Sequence, residues 1–325
     1  MIHYYVFGLS GLASLLTNIF SYLAICIMPR SQSHVAIFIV SGLGLGFAQL
    51  HRQIYYYGWN GLDVPMNLMF NFCRVSSLAC CIRDGHYMTK AEKDGKEPDL
   101  KPREKAFAIK EIPSFFDFMS YLYYCGAAIS GPWYEYKDFM DMIHQRGDFK
   151  EIPSTIKPGL IRFAHAWMLV ATGAILAQFA DEKFALSDEF VNDYSLARKW
   201  WNLYMILKMI MQTYLVGWTL TECGPIASGL AFNGYDKQTG KPKFDRVQSA
   251  VLWNLEFSYS VKDFLASWNM SVPKWLKHYI FLRILPNDKR KNLNAKAAFI
   301  TFLVSAVWHG FYPGFYLFFF RSIFA

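Results

Sequence analysis

Two stretches of the chain stay uncharged for longer than a buried helix of a soluble domain needs. Tyr4 to Met28 carries no Asp, Glu, Lys, Arg or His, and Ala297 to Phe320 carries His309 as its only such residue. At about 1.5 Å rise per residue, each is long enough to cross a hydrocarbon core of about 30 Å, so both are read as membrane spans. Val35 to Leu50, Phe118 to Trp133, Phe163 to Ala180 and Trp200 to Thr221 are weaker apolar runs, the last tolerating Lys208 near its middle. They are read as further spans, or as buried or re-entrant segments.

Between the runs, Arg83 to Glu111 mixes both charge signs and contains Pro98 and Pro102, which predicts a solvated loop over 83–111. Gly42, Gly44 and Gly46 lie inside an apolar run. A dinucleotide fingerprint would need a preceding strand and a following acid, so close helix packing is the better explanation. From Trp268 to Arg283, Trp268, Val272, Trp275, Leu276, Tyr279 and Ile280 recur at helical spacing while Lys274, Lys277 and His278 fall elsewhere. This predicts an amphipathic interfacial helix over 268–283. No repeat is visible, and one membrane-embedded domain over 1–325 is the economical description.

Composition agrees with that reading. Hydrophobic residues make up 54% of the 325 and charged ones 18%, where a soluble chain carries about 25%. The six cysteines lack metal-ligand spacing and read as small buried hydrophobes, so no metal and no resident cofactor is expected. The net charge of +8 gathers in loops, at Lys237, Lys241, Lys243 and Arg246, and at Lys289, Arg290, Lys291 and Lys296. Such placement is a positive-inside signal and also suits anionic headgroups or a phosphorylated substrate; no nucleic-acid partner is implied. The first apolar run starts almost at Met1 and overshoots a signal-peptide core, so a cleaved leader is not expected. A chain that opens within one span and closes after another is expected to be incomplete at both ends.

The candidate chemistry centres on His309. A straight helix from Ala297 would carry it roughly 18 Å inward, near the bilayer midplane, where a polar ring needs a job or a partner. Pro313, four residues on, has no N–H for the His309 carbonyl, which predicts an irregular turn beside the imidazole. Asn269 stands in the same relation to Pro273. A neutral imidazole can take a proton from an alcohol attacking an acyl carbon, and a carboxamide can orient the hydroxyl or hydrogen-bond the developing oxyanion. A thioester donor would need no covalent enzyme intermediate, because its thiolate leaves readily. Consistent with this, the chain has no Gly-x-Ser-x-Gly elbow, no His-Glu-x-x-His helix and no Walker loop.

Ser305-Ala306-Val307-Trp308-His309-Gly310-Phe311-Tyr312-Pro313-Gly314 resembles the histidine motif of the membrane-bound O-acyltransferases, and Trp268-Asn269 with Trp275-Leu276-Lys277 resembles their asparagine motif. Ser228 to Gly234, Pro113-Ser114, Gly131-Pro132, Tyr136-Lys137 and Arg74-Val75-Ser76-Ser77-Leu78 with Asp84-Gly85 are similar to signatures of the lysophospholipid acyltransferase branch, while Phe244-Asp245 stands where relatives often carry Trp-Asp. The resemblance implies an all-α polytopic bundle around a chamber, with acyl-CoA as co-substrate, a lysophospholipid as acceptor and the endoplasmic reticulum as location. It implies His309 and Asn269 as the catalytic pair. Trp268, Trp308, Tyr312, Asn233, Glu256 and Lys274 are the expected substrate-binding residues, Glu256 and Asp245 having structural helix partnership or an interface charge as their default reading. The competing readings are an acyltransferase for a neutral lipid or peptide, and a lipid transporter with His309 as a gate.

Overall fold

The polar residues of the first two apolar runs point inward and the large apolar ones outward. On α1 (Gly11–Ile27), Ser14, Asn18, Ser21 and Ile25 are buried while Leu12, Leu16, Phe20, Leu23 and Ile27 are exposed. On α2 (Ser33–Tyr55), the buried stripe is Ser33, Ile37, Ser41, Leu45 and Gln49, and the exposed face carries Val35, Ile39, Leu43, Phe47 and Ile54. Water would reverse this pattern; hydrocarbon permits it, because only the inner face can satisfy polar groups. Among the described residues three helical stretches are long and apolar enough to cross a membrane, Tyr5–Ile27, Ser33–Tyr55 and Ile156–Leu176.

The computed structural model describes residues 2–58, 61, 63–180, 182–285 and 295–321. Among the described residues the regular structure is helical, apart from one isolated bridge between Tyr235 and Pro242. The chain divides into two units, Met1–Gly147 with Ser271–Ala325, and Asp148–Met270.

In the first unit the post is α3 (Val64–Lys93), capped by Asp63 accepting from the Met66 N–H and buried without interruption from Phe70 to Ile82. α2 packs on it through Gly42, which faces Phe72, and on α1 through Gly44, where a Cβ would fall 2.5 Å from the Thr17 side chain. The glycine stripe is therefore a packing device, as its setting suggested. Arg74, wholly buried on α3, donates to the carbonyls of Leu122, Ala127 and Pro132 and to Asn71, with its guanidinium 4.7 Å from the Tyr134 ring centroid. One side chain thus organises the irregular segment that follows α4 (Phe115–Leu122). Phe118 to Trp133 is accordingly not a span: its helix stops at Leu122, and the Leu122, Ala127 and Pro132 carbonyls bond to Arg74 instead of to a next turn.

The predicted loop over 83–111 is corrected at its start and middle, while 94–101 and 108–111 are non-helical and largely exposed as expected. α3 runs on to Lys93, with Asp84 and Gly85 buried, and a short helix forms over Pro102–Phe107. A Cβ on Gly85 would collide with the Ile109 backbone, and the Ile109 N–H donates to the Cys81 carbonyl at 2.9 Å. Four of the charges, Asp84, Lys101, Arg103 and Glu104, turn inward, while Lys90, Glu92, Lys93, Asp94, Lys96, Glu97, Asp99, Lys110 and Glu111 are exposed. Arg283 forks onto both Asp84 oxygens at 2.6 Å, Arg103 reaches Glu135 at 2.5 Å, and the Lys101 ammonium bonds the Leu282 and Leu285 carbonyls.

The amphipathic segment begins later than its pattern predicts. α5 (Ser271–Leu276) passes through a π-helical turn over Lys277–Phe281 into Leu282–Ile284. Val272, Trp275, Tyr279 and Ile280 are buried as the spacing required, with Trp275 Nε1 donating to Ser76 and the Tyr279 hydroxyl to Glu135. Trp268 to Met270 lie outside the helix. The final apolar run is two helices, α6 (Ala295–His309) and α7 (Pro313–Arg321), instead of one straight span. The basic residues Lys289, Arg290 and Lys291 lie outside the described residues.

In the second unit α8 (Ile156–Leu176) packs on α9 (Leu196–Ser228), where Gln212 Nε2 bonds the Leu169 carbonyl and Thr172 Oγ1, each at 2.6 Å. The long α9 contains the run from Trp200 to Thr221, and Lys208 is tolerated because Glu256 pairs with it at 2.6 Å. The cysteines are free; Cys73, Cys80 and Cys81 are buried, but Cys26 and Cys125 are exposed, against expectation.

Candidate active site

His309 is the last residue of α6. The helix stops because Gly310 turns to a φ of 125°, which favours glycine, and Pro313 opens α7 at its first position, where a missing N–H costs nothing. The irregular turn that Pro313 predicted is present, with His309 at a helix end instead of within a continuous helix. The Gly310 N–H donates to the Ala306 and Val307 carbonyls, and the Trp308 carbonyl receives the carboxamide of Gln49 at 2.6 Å. The imidazole lies among aromatic rings, its centroid 5.2 Å from Phe315, 5.3 Å from Phe319 and 4.8 Å from Trp308. Among the described residues no side chain hydrogen-bonds it.

Trp308 and Tyr312, expected to bind substrate, are engaged in holding this turn. The Trp308 indole donates to the Met69 carbonyl at 2.8 Å and meets Phe70 edge to face. The Tyr312 ring lies 5.3 Å from Tyr57, and its hydroxyl accepts from the Gly58 N–H at 3.4 Å.

Asn269 belongs to the second unit. It sits between α10 (Val261–Ser267) and the start of α5, with φ at 46°, a left-handed conformation that asparagine tolerates better than most residues. Pro273 is the third residue of α5, where no helical donor is required, so the parallel with His309 and Pro313 fails: a left-handed residue, not a broken helical bond, shapes this junction. The junction is bracketed on both sides. The Met270 N–H donates to the Ser249 carbonyl at 2.7 Å, and the Val251 N–H to the Ser267 carbonyl at 3.2 Å. Behind this bracket, buried Glu222 accepts from the Ser249 N–H at 2.6 Å and pairs with Arg162 at 2.5 Å. The Asn269 side-chain oxygen is buried without a hydrogen-bond partner among the described residues, a state that a bound donor would relieve. Trp268 is locked among Trp218, Tyr214 and Phe264, with centroids 4.7, 6.0 and 5.9 Å away.

The remaining expected binding residues have partners of their own. Asn233 Nδ2 donates to Asp245 at 2.8 Å, in a turn where Phe244 packs 5.7 Å from Phe232. Glu256 is taken by Lys208, in keeping with its default reading, and Lys274 lies exposed on α5. No cluster of three metal-ligating side chains occurs among the described residues. Sequence reading missed Gln49, Arg162 and Glu222. The fourfold spacing from Ser33 to Gln49 and the single carboxylate of α9 were the available signals.

Comparison with known proteins places these features. A lysophospholipid acyltransferase of Saccharomyces cerevisiae is 28% identical over 341 residues, covering 97% of this chain and 54% of the relative. Lysophospholipid acyltransferase 6 of Drosophila melanogaster is 29% identical, covering 90% and 41%, and lysophospholipid acyltransferase 1 of Arabidopsis thaliana is 29% identical, covering 86% and 60%. The chain thus spans about half the length of these curated relatives. The sequence model of the membrane-bound O-acyltransferase family matches residues 55–325, a range that holds both the turn carrying His309 and the junction carrying Asn269, and on that match this chain belongs to the membrane-bound O-acyltransferase family.

Proposed function

We propose that the protein transfers a fatty acyl group from acyl-CoA to the free hydroxyl of a lysophospholipid. The observation that carries this reading is the likeness, over most of this chain, to relatives named lysophospholipid acyltransferases. In this reading the His309 imidazole takes the hydroxyl proton as the oxygen attacks the thioester carbonyl. The Asn269 carboxamide steadies the developing oxyanion, and the proton leaves with the CoA thiol. An imidazole walled by aromatic rings and with no hydrogen-bonding side chain among the described residues suits a base, because none of them competes for its lone pair. The endoplasmic reticulum, where phospholipids are remodelled, is the proposed location, with no resident cofactor.

The test is conversion of labelled acyl-CoA and a panel of lysophospholipids, neutral lipids and peptides by membranes containing the protein. Phospholipid product is expected with lysophospholipids, and His309→Ala is expected to abolish it while leaving the protein folded and membrane-integrated. Full turnover by that variant, or preference for a peptide acceptor, would reject the proposal.

A further inference from the structure

Gln49 lies outside the matched range of the family, on α2, yet its side chain reaches the turn that carries His309. It is 6% exposed and closes the buried stripe of Ser33, Ile37, Ser41 and Leu45. Its Nε2 donates to the Trp308 carbonyl at 2.6 Å. That carbonyl is one of the last four of α6 and has no intrahelical donor, so the bond is a cap. The orientation of the amide follows from chemistry, since a carbonyl accepts only and must meet the nitrogen. The oxygen is thereby turned the other way, buried and without a partner among the described residues. It lies 3.9 Å from where a Cβ would project from Gly310, on the side that Phe315 also borders, and Phe315 is one of the rings against the imidazole.

A buried acceptor left unmet is unfavourable, and it is relieved by any donor that enters. The reaction proposed above brings one donor to the His309 turn, the hydroxyl of the acyl acceptor. We propose that Gln49 is a substrate-contacting residue: its nitrogen caps the turn bearing His309, and its oxygen accepts a hydrogen bond from the acceptor hydroxyl. This deepens the acyl-transfer reading and rests on it for the identity of the donor. In the binary complex the hydroxyl's single proton lies on the Gln49 oxygen; rotation about the C–O bond then turns that proton to His309, and the oxygen attacks with the lone pair so freed. Gly310 adds no side chain at this point, where a Cβ would already touch Gln49 and Phe315 at 3.8 Å, and the α2 helix supplies a rigid mount.

The test reads binding, without turnover. The protein in nanodiscs is titrated with lysophosphatidylcholine, lysophosphatidylethanolamine and the deoxy analogue of each, which carries hydrogen in place of the free hydroxyl; bound lipid is counted by native mass spectrometry with no acyl-CoA present. The wild type is expected to bind the hydroxyl form about tenfold more tightly than the deoxy form, the worth of one buried hydrogen bond. Gln49→Met, similar in volume but without donor or acceptor, is expected to bring the ratio to about one. Gln49→Glu offers a second, reversible variant. While protonated, its O–H caps the Trp308 carbonyl and its C=O accepts, so the preference is retained at low pH and lost as the carboxyl ionises. A wild type indifferent to the hydroxyl, or a Gln49→Met ratio equal to that of the wild type, as when a water meets the oxygen, overturns the proposal. His309→Ala, assayed in parallel, should keep the ratio and lose turnover; if it keeps both, the base assignment falls and the Gln49 site stands.

Discussion

A left-handed asparagine makes two separable demands at one position, a backbone conformation and a carboxamide. At φ of 46°, Asn269 occupies a region that most side chains enter at an expense of about 1–2 kcal/mol, whereas glycine enters freely. Replacement by alanine removes the amide and strains the junction together, so a loss of activity in Asn269→Ala would not tell which mattered. Asn269→Gly divides them. If the carboxamide stabilises the oxyanion, the glycine variant should lose turnover by about a hundredfold or more, as removal of an oxyanion donor does, while its thermal unfolding stays close to that of the wild type. Turnover by Asn269→Gly near the wild-type level would assign this residue to chain geometry alone. The identities of His309 and Asn269 as candidates were legible in the sequence, because their motifs are local. What surrounds them was not. The bracket on Met270 comes from the Ser249 carbonyl and the cap on Trp308 from Gln49, contacts between residues far apart in the chain that leave no local spacing to read.

Two places where the apolar pattern falters are secured by ion pairs on buried carboxylates, Glu222 with Arg162 and Asp84 with Arg283. Glu222 ends the apolar stretch of α9, and alone in a buried setting it would be costly; Arg162 from α8 and the Ser249 N–H make it tolerable. Breaking such a pair from one side leaves an uncompensated charge, so Glu222→Ala should lower unfolding stability by about 3–5 kcal/mol, read as a fall in the denaturation midpoint in detergent. The double variant Glu222→Ala with Arg162→Met should recover part of that loss, since it removes both charges. The same logic explains why the helical parts of Arg83 to Glu111 were not legible: Asp84 and Arg103 look like loop charges in the sequence and meet Arg283 and Glu135 inside the fold. The Lys277–Phe281 turn adds a pH dependence. Burial, then the nearby Arg103, Lys277 and Lys274, push the His278 pKa down from 6.5 to about 4. Between those values the unfolded chain holds the extra proton, so the His278 contribution is intact above pH 6.5 and is lost as pH falls towards 4. Thermal unfolding scans from pH 7 to pH 4.5 should therefore show a smaller decline in His278→Gln than in the wild type; equal declines would remove His278 as a cause.

At the scale of the whole molecule, the inverted polarity of α1 and α2 is what makes this a membrane protein, and it leads to an asymmetry no soluble fold would show. The apolar runs made the spans legible in the sequence, but which face of each looks inward depends on partners such as Asn67 and Tyr123, which hydrogen-bond Ser14 and Asn18 from elsewhere in the chain. Leu43, 70% exposed near the middle of α2, would be a harmless site for a charge in water. In hydrocarbon the same charge is unfavourable by about 2.5–3.5 kcal/mol. Ser41, two residues earlier, is buried and bonds back to the Ile37 carbonyl at 2.6 Å, in a tightly packed face where added volume brings strain of about 1–3 kcal/mol. Leu43→Arg is therefore expected to reduce the fraction of protein that resists alkaline extraction from membranes. Ser41→Leu, more apolar than the wild type, should integrate fully and unfold at lower temperature once purified in detergent. The opposite pairing, with Leu43→Arg fully integrated and Ser41→Leu undiminished in stability, would mean that the exposed face of α2 meets water or protein and that its polar stripe does not pack as described.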